Sequence, residues 1–485
     1  MDENKMDETT DCAARIDGME EDIIRTLREL IAIRSVAGPA EEGAPFGLGV
    51  RDAFAYMLKQ AETDGFATEN VDQYGGHIEF GGLLTDADGA VVGLSDEVFG
   101  MLGHLDVVPE GSGWSCDPFA GKLEDGKIYG RGAIDDKGPL LACYFAMKAL
   151  KQNGFSPQKR VRLILGLDEE SGWVGMQRYL SNVKAPDAGF TPDADFPAIH
   201  GEMGILIFEL AKKIGKSTVK GLELRKISGG NAANMTPDFA RAVVRGEAYD
   251  AIREKIAEYR KETGYHVYAK GIGKSLEISA KGVSAHGATP EKGLNAISIL
   301  MDFLSQTGLV NESVLEFIDF YKRHIGFDLH GDGIGCGFAD APSGKLIFNV
   351  GMVNGNHEAI LLTINIRYPV TLGQEQIYDA MLPVIHKYDL GLVKRDHKAP
   401  IFIPADDPLI ETLMRVYQEH TGDRSGKPLV IGGGTYARAA KNIVAFGGRF
   451  PGEPELAHQK DEFICVDSLI RMTKIYADAI YALAK

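Results

Sequence analysis

The chain is short of cysteine, of positive charge and of long apolar runs, and each shortage narrows what it can be. Its five cysteines, Cys12, Cys116, Cys143, Cys336 and Cys465, are odd in number and scattered, with no CxxC pair. That argues against both a disulfide framework and a thiolate zinc site, and a reducing cytoplasm is the expected home. Lys and Arg number 52 against 69 Asp and Glu, a formal net charge of −17. Phosphate binding needs concentrated Lys and Arg, so neither nucleic acid nor an anionic membrane surface is an expected partner. No apolar run is long enough to span a bilayer. The N-terminal stretch MDENKMDETTDCAARID is acidic and has no apolar h-region, so no secretory signal is expected there, and its first dozen residues are expected to be mobile. No internal repeat or low-complexity tract appears. There is no GxSxG elbow and no cysteine in a recognisable nucleophile motif, which argues against a serine or cysteine hydrolase.

What is present is an ordinary globular composition, 44% hydrophobic and 25% charged, in a chain of 485 residues, long enough for two domains. Residues 18–34 place Ile23, Ile24, Leu27, Leu30 and Ile31 on one helical side, and 50–65 repeats that periodicity up to Gly65. VFGMLGHLD (98–106) and VRLILGL (161–167) read as buried strands. Between them, 136–154 reads as a helix with Pro139 in its first turn and Gly154 past its end. Strands alternating with helices predict an α/β domain with a mostly parallel sheet, whose chemistry gathers at the carboxyl ends of its strands. After about residue 200 the pattern changes. ILIFELAKK, KSLEISAKG, KLIFNVGMV and ILLTINIRYP alternate as strands, with helices expected at 237–261 and 292–306. From about 398 the first style returns, with the helix DPLIETLMRVYQEHTG and then PLVIGGGTYAR. The expected organisation is therefore a first domain in two parts, 1–200 and 398–485, with an α+β domain inserted at 201–397.

Four stretches carry candidate chemistry. His104 and Asp106 stand two residues apart where a strand stops, which fits either a metal ligand with its supporting carboxylate or a polar strand end. In GRGAIDDKG (130–138), Asp135 and Asp136 stand where a turn enters a helix, and N-capping accounts for one of them more easily than for two. In LILGLDEESGW (163–173), three consecutive acids close an apolar strand; their mutual repulsion calls for a cation or for water. In PELAHQKDEF (454–463), His458 is flanked by acids and taken alone reads as a surface histidine. Carboxylates and imidazoles together form the ligand set of a hydrolytic zinc site, although such N/O ligands accept manganese or cobalt as well.

GHLDVVP, GRGAIDDKGP, LDEESGW, TPDADFP and the late histidine of PELAHQ, in this order, resemble the aminoacylase/carboxypeptidase-type co-catalytic zinc peptidases. Within them the resemblance is to the bacterial dipeptidases of the PepV type, relatives of carnosinases. It covers about residues 100–463, and none of the metal-ligand positions departs from the pattern. It implies a zinc-exopeptidase catalytic domain with an inserted lid and a site for two zinc ions. In that site His104 and Asp193 hold one ion, Glu170 and His458 hold the other, and Asp135 bridges them. Glu169 is implied as general base to a metal-bridged hydroxide that attacks the peptide carbonyl, and Asp106 as the residue that fixes the tautomer of His104. It also implies a cis peptide between Asp135 and Asp136. In the lid, His286 of KGVSAHGATP is implied as an oxyanion donor, with Asn234 of NAANMTPD and Arg367 of NIRYP as substrate contacts. The Arg367 fork suits a free C-terminal carboxylate. Gly434 and Thr435 of GGGTYAR offer further N–H groups for a carboxylate. The enlarged insert implies a monomer acting on dipeptides. An N-acyl-amino-acid deacylase or carboxypeptidase with the same metals, and a non-catalytic member that binds amino acids or peptides, are the alternatives.

Overall fold

The computed structural model describes residues 3–86, 88, 90–247 and 249–485. The chain divides into two compact units. The first comprises Met1–His200, Ile403–Leu429 and Gly434–Lys485, and the second Gly201–Phe402 with Val430–Gly433. Of the N-terminal dozen expected to be mobile, residues 1 and 2 lie outside the described residues. Glu3–Gly18 forms a helix whose Cys12 and Ile16 are buried.

In the first unit, strands β1 (Ala67–Asn70), β2 (Gly76–Gly81), β3 (Val98–His104), β4 (Arg160–Gly166) and β5 (Ala188–Thr191) join Ile443–Ala445 in one sheet. The order is β1-β2-β4-β3-β5-(443–445). From β4 to Ile443–Ala445 the strands run parallel, while β1 and β2 are antiparallel additions at one side. Every residue of β3 is buried and β4 is buried from Val161 on, as strands covered on both faces must be, and this is why they read as continuous apolar runs. Helix α1 (Lys137–Gln152) follows the same logic. It is buried on nearly all sides, lies against β3, and packs along the C-terminal helix Val466–Ala484. Leu, Ile and Phe side chains from these elements form one continuous core, each contributing about 1.5–3 kcal/mol by burial. At Gly103 a Cβ would stand 2.7 Å from the Asp136 carboxylate and 2.9 Å from Leu140, so glycine there lets the start of α1 lie directly on the end of β3.

The second unit is built on an eight-stranded sheet, antiparallel at every pairing. Its order is His266–Ile272, Ser275–Lys281, Phe239–Arg245, Glu223–Gly229, Ile347–Asn356, Ala359–Tyr368, Gly204–Lys213, Gly391–Lys398. Helices Tyr249–Thr263, Ala296–Leu304, Glu312–His324 and Gln374–Lys387 contribute to a second, separate core. One expectation fails here. Residues 237–261 are not one helix: Phe239–Arg245 is a strand and the helix begins at Tyr249, with residue 248 outside the described residues. In FARAVVR the buried positions are Ala240, Ala242 and Val244, a period of two. Small alanines among arginines hide that alternation from a reading by hydrophobic periodicity.

Candidate metal centre

Three adjacent parallel strands end at the same edge of the first unit's sheet, and each ends on a candidate ligand. Strand β3 closes with His104. Strand β4 is followed, after Leu167, by Asp168, Glu169 and Glu170, and β5, after Pro192, by Asp193. Asp135 stands before the first turn of α1, and the peptide joining it to Asp136 is cis, as the resemblance implied. His458, in left-handed backbone with φ of 63°, comes from the loop before Phe463–Cys465.

These side chains converge. The Nε2 atom of His104 lies 3.1 Å from Asp135 Oδ1 and 3.7 Å from Asp193 Oδ2. The other oxygen of Asp135, Oδ2, lies 3.1 Å from Nε2 of His458, which is also 2.9 Å from Glu170 Oε1. One carboxylate thus turns each of its oxygens toward a different imidazole. Donor atoms of His104, Glu169 and Asp193 form one group within 4.8 Å of one another, and those of His104, Asp135 and Glu170 form a second. His104 is fully buried, and its Nε2, despite these short approaches, makes no hydrogen bond. A buried nitrogen left unsatisfied costs free energy. An imidazole nitrogen and several carboxylate oxygens aimed at common points are what a divalent cation takes as ligands.

The electrostatics point the same way. Burial pushes the carboxyls of Glu169, Glu170 and Asp193 up from their ordinary values; negative neighbours add to the effect, Asp193 and Glu170 on Glu169, and Asp135 on Glu170 and Asp193. Against the burial that would raise it, the His104 and His458 imidazoles hold the Asp135 carboxyl well below the usual range. Contacts with Asp135 and Glu170 push His458 up to about 10. So many carboxylates drawn out of water around two imidazoles need positive charge between them.

A second set of buried carboxylates holds the backbone of the ligand-bearing segments. Asp106 accepts the N–H groups of Glu169 and Glu170, each at 3.1 Å. Its part in orienting His104 runs mainly through its main chain: Nδ1 of His104 is 2.9 Å from the Asp106 carbonyl oxygen and 3.6 Å from its carboxylate. Asp136 accepts the N–H of His104 at 3.1 Å. Glu462 accepts those of Ile134 and Asp135. Tyr436, two residues after Gly434, sets its ring edge-to-face on His104 and packs on Trp173. The Thr435 hydroxyl accepts the N–H of Ala437 and so caps the short turn that carries Tyr436.

The remaining sequence candidates belong to the second unit. Met235–Thr236 pairs with Ala285–His286, and Asn234 accepts the N–H of Gly287 through its carbonyl at 2.7 Å. Arg367 is buried near the end of Ala359–Tyr368. The place of a Cβ on Gly432 is 3.5 Å from Arg367 Cγ and 3.1 Å from Ala288 Cβ, so the glycine-rich turn begins beside both. The sequence reading passed over Arg131, Asp136 as an amide acceptor, Tyr436 and Glu462. Asp136 and Glu462 sit inside the quoted motifs, and both prove to be acids at fully buried positions.

The sequence profile of Peptidase family M20/M25/M40 matches residues 100–482. YtjP of Bacillus subtilis (strain 168) is 39% identical over 474 residues, covering 96% of this chain and 98% of that one. The Beta-Ala-Xaa dipeptidase of Lactobacillus delbrueckii subsp. lactis is 36% identical over 479 residues, 96% of each chain. Among solved structures, the aminoacylhistidine dipeptidase of Vibrio alginolyticus shares the fold. The TM-score is 0.53 at 14% identity, over 95% of this chain and 96% of that one.

Proposed function

This chain belongs to peptidase family M20/M25/M40 and is a peptide-bond hydrolase; on that premise we propose that it cleaves dipeptides with two zinc ions held in the first unit. The observation that carries the reading is Asp135, whose two oxygens face His104 and His458 separately. A carboxylate so placed would bridge two ions, with His104 and Asp193 completing one shell and Glu170 and His458 the other. When bound, the ions supply Lewis acidity and water of lowered pKa.

The chain's own groups supply the rest. Glu169, its carboxyl raised by burial, takes a proton from the attacking water and passes it to the leaving amine. Asp106 keeps Glu169 and Glu170 in register by binding both amides. In the insert, taken as 201–397 between 1–200 and 398–485, His286 donates to the carbonyl oxygen that becomes negative in the transition state. Asn234 and Arg367 hold the substrate, Arg367 by its free C-terminal carboxylate, with N–H groups of Gly434 and Thr435 adding to that grip. Recognition of both substrate ends selects dipeptides over longer chains. Among the described residues no helix is long and apolar enough to cross a membrane. We take the enzyme to be a cytoplasmic monomer.

The test is a hydrolysis panel on zinc-loaded protein, read by mass spectrometry with and without chelator. It contains α-dipeptides, β-alanyl dipeptides, tripeptides and N-acetyl amino acids. Chelator-sensitive cleavage confined to dipeptides is the expected result. Preferential cleavage of N-acetyl amino acids would keep the metal chemistry and replace the dipeptidase reading with a deacylase.

A further inference from the structure

We propose that Glu462 is a positioning residue for the metal centre, fixing Asp135 and the His458 segment relative to each other; the proposal rests on the two-metal reading above. Glu462 is fully buried, four residues after His458. Its Oε1 accepts the N–H of Ile134 at 2.9 Å and that of Asp135 at 3.3 Å. Its Oε2 receives Nη1 of Arg131, also buried, at 2.6 Å, and the Arg131 guanidinium lies 5.3 Å from the centre of the Trp114 ring. The main chain adds to this hold. Gly130 donates to the Glu462 carbonyl at 2.9 Å, and Phe463–Cys465 pairs with Lys127–Tyr129. The neighbouring Asp461 carboxylate accepts both the N–H of Ser115 at 2.6 Å and its hydroxyl at 2.9 Å.

One side chain therefore touches the amide of Asp135 while standing four residues from His458 in the same segment. Removing Glu462 alone would leave the buried Arg131 guanidinium and two main-chain amides without their acceptor, so a loss of stability is expected whichever role it has, and metal affinity is the property that separates the two roles. A carboxylate that satisfies two amides and one guanidinium fixes distances, which is what groups behind metal ligands do. Their loss typically weakens metal binding 10–100-fold.

The experiment uses the full chain as wild type, Glu462→Gln and Glu462→Ala. Three readouts are taken: zinc affinity by competition with a chromogenic chelator, the visible absorption of the Co²⁺-loaded protein, and the melting temperature of the metal-free protein. Glu462→Gln keeps the shape and one acceptor, so it remains testable if the alanine variant does not fold. The expected result is a 10–100-fold weaker affinity for at least one ion and a changed Co²⁺ spectrum. A folded Glu462→Gln protein with a lower metal-free melting temperature but wild-type affinity and spectrum would overturn the positioning role and leave a structural one. Wild-type protein that takes up no pair of ions would overturn the two-metal reading itself, a result separate from any Glu462 variant.

Discussion

The two units place polar residues on opposite kinds of sheet. In the first unit the central strands are parallel, so β3, β4 and β5 all finish at one edge and deliver His104, Glu169, Glu170 and Asp193 together. In the second unit the strands alternate in direction. Three that run the same way, Glu223–Gly229, Ser275–Lys281 and Ala359–Tyr368, carry Asn234, His286 and Arg367 at or beyond their ends. The strands lying between them contribute none of these three residues. Charge follows the same division. From 201 to 402, Lys and Arg nearly balance Asp and Glu, so the net charge of −17 resides in the first unit. Here the parallel sheet gathers groups that could hold a cation, whereas the antiparallel one spaces out Asn234, His286 and Arg367.

The largest expected effect tests the concentrated side. Glu169→Gln removes the proton acceptor without removing a proposed zinc ligand, so kcat should fall by about 10²–10⁴. Bound zinc, counted by atomic absorption, should stay at the wild-type level. A variant that loses metal along with activity would place Glu169 among the ligands, an arrangement its grouping with His104 and Asp193 also allows.

The spaced side should answer differently. Arg367→Ala removes a planar, doubly donating cation from a buried position near a strand end. If it binds the substrate carboxylate, KM for a dipeptide should rise about 10–100-fold, with a smaller change in kcat and none in metal content. A dipeptide amide, which lacks the carboxylate, should discriminate little between wild type and variant. Steady-state kinetics on the acid and amide forms checks this, and an equal loss on both would remove Arg367 from carboxylate recognition.

The same contrast explains what could be read in the sequence. VFGMLGH and VRLILG are apolar at nearly every position because they are buried on both faces, and the polar residue that ends each run is conspicuous for that reason. In the second unit, FARAVVR buries only every other residue, and its small alanines carry no clear hydrophobic period, so the strand is indistinguishable by pattern from the helix that follows it. Asp106 was expected to act on His104 through its carboxylate. Only the folded chain shows that this carboxylate reaches across 63 residues to Glu169 while the carbonyl supports the ring. The Arg131–Glu462 pair joins residues 331 apart, a separation that no local pattern encodes.

The smallest effect concerns stability and again separates the units. In β2 of the first unit, His77 is buried against Tyr179, whose hydroxyl lies 2.9 Å from its Nδ1. Burial first, and then the Arg162 and Arg160 charges, lower its pKa from 6.5 to about 3. Below 6.5 the unfolded chain binds a proton that the folded chain refuses. The stability contributed by neutral His77 is therefore complete above 6.5 and drains away as pH falls toward 3, by at most about 1.4 kcal/mol per pH unit. Replacing His77 with Gln removes the titration, so the loss of stability between pH 7 and pH 4.5 should be shallower than in wild type. Urea unfolding of the metal-free proteins, followed by tryptophan fluorescence, measures both slopes. Both tryptophans, Trp114 and Trp173, lie in the first unit, so the signal reports on the unit in question. Parallel slopes would mean that His77 is protonated in the folded chain as readily as in the unfolded one. The acid sensitivity of this unit would then have to come from its other titrating groups, the carboxylates and His200 among them.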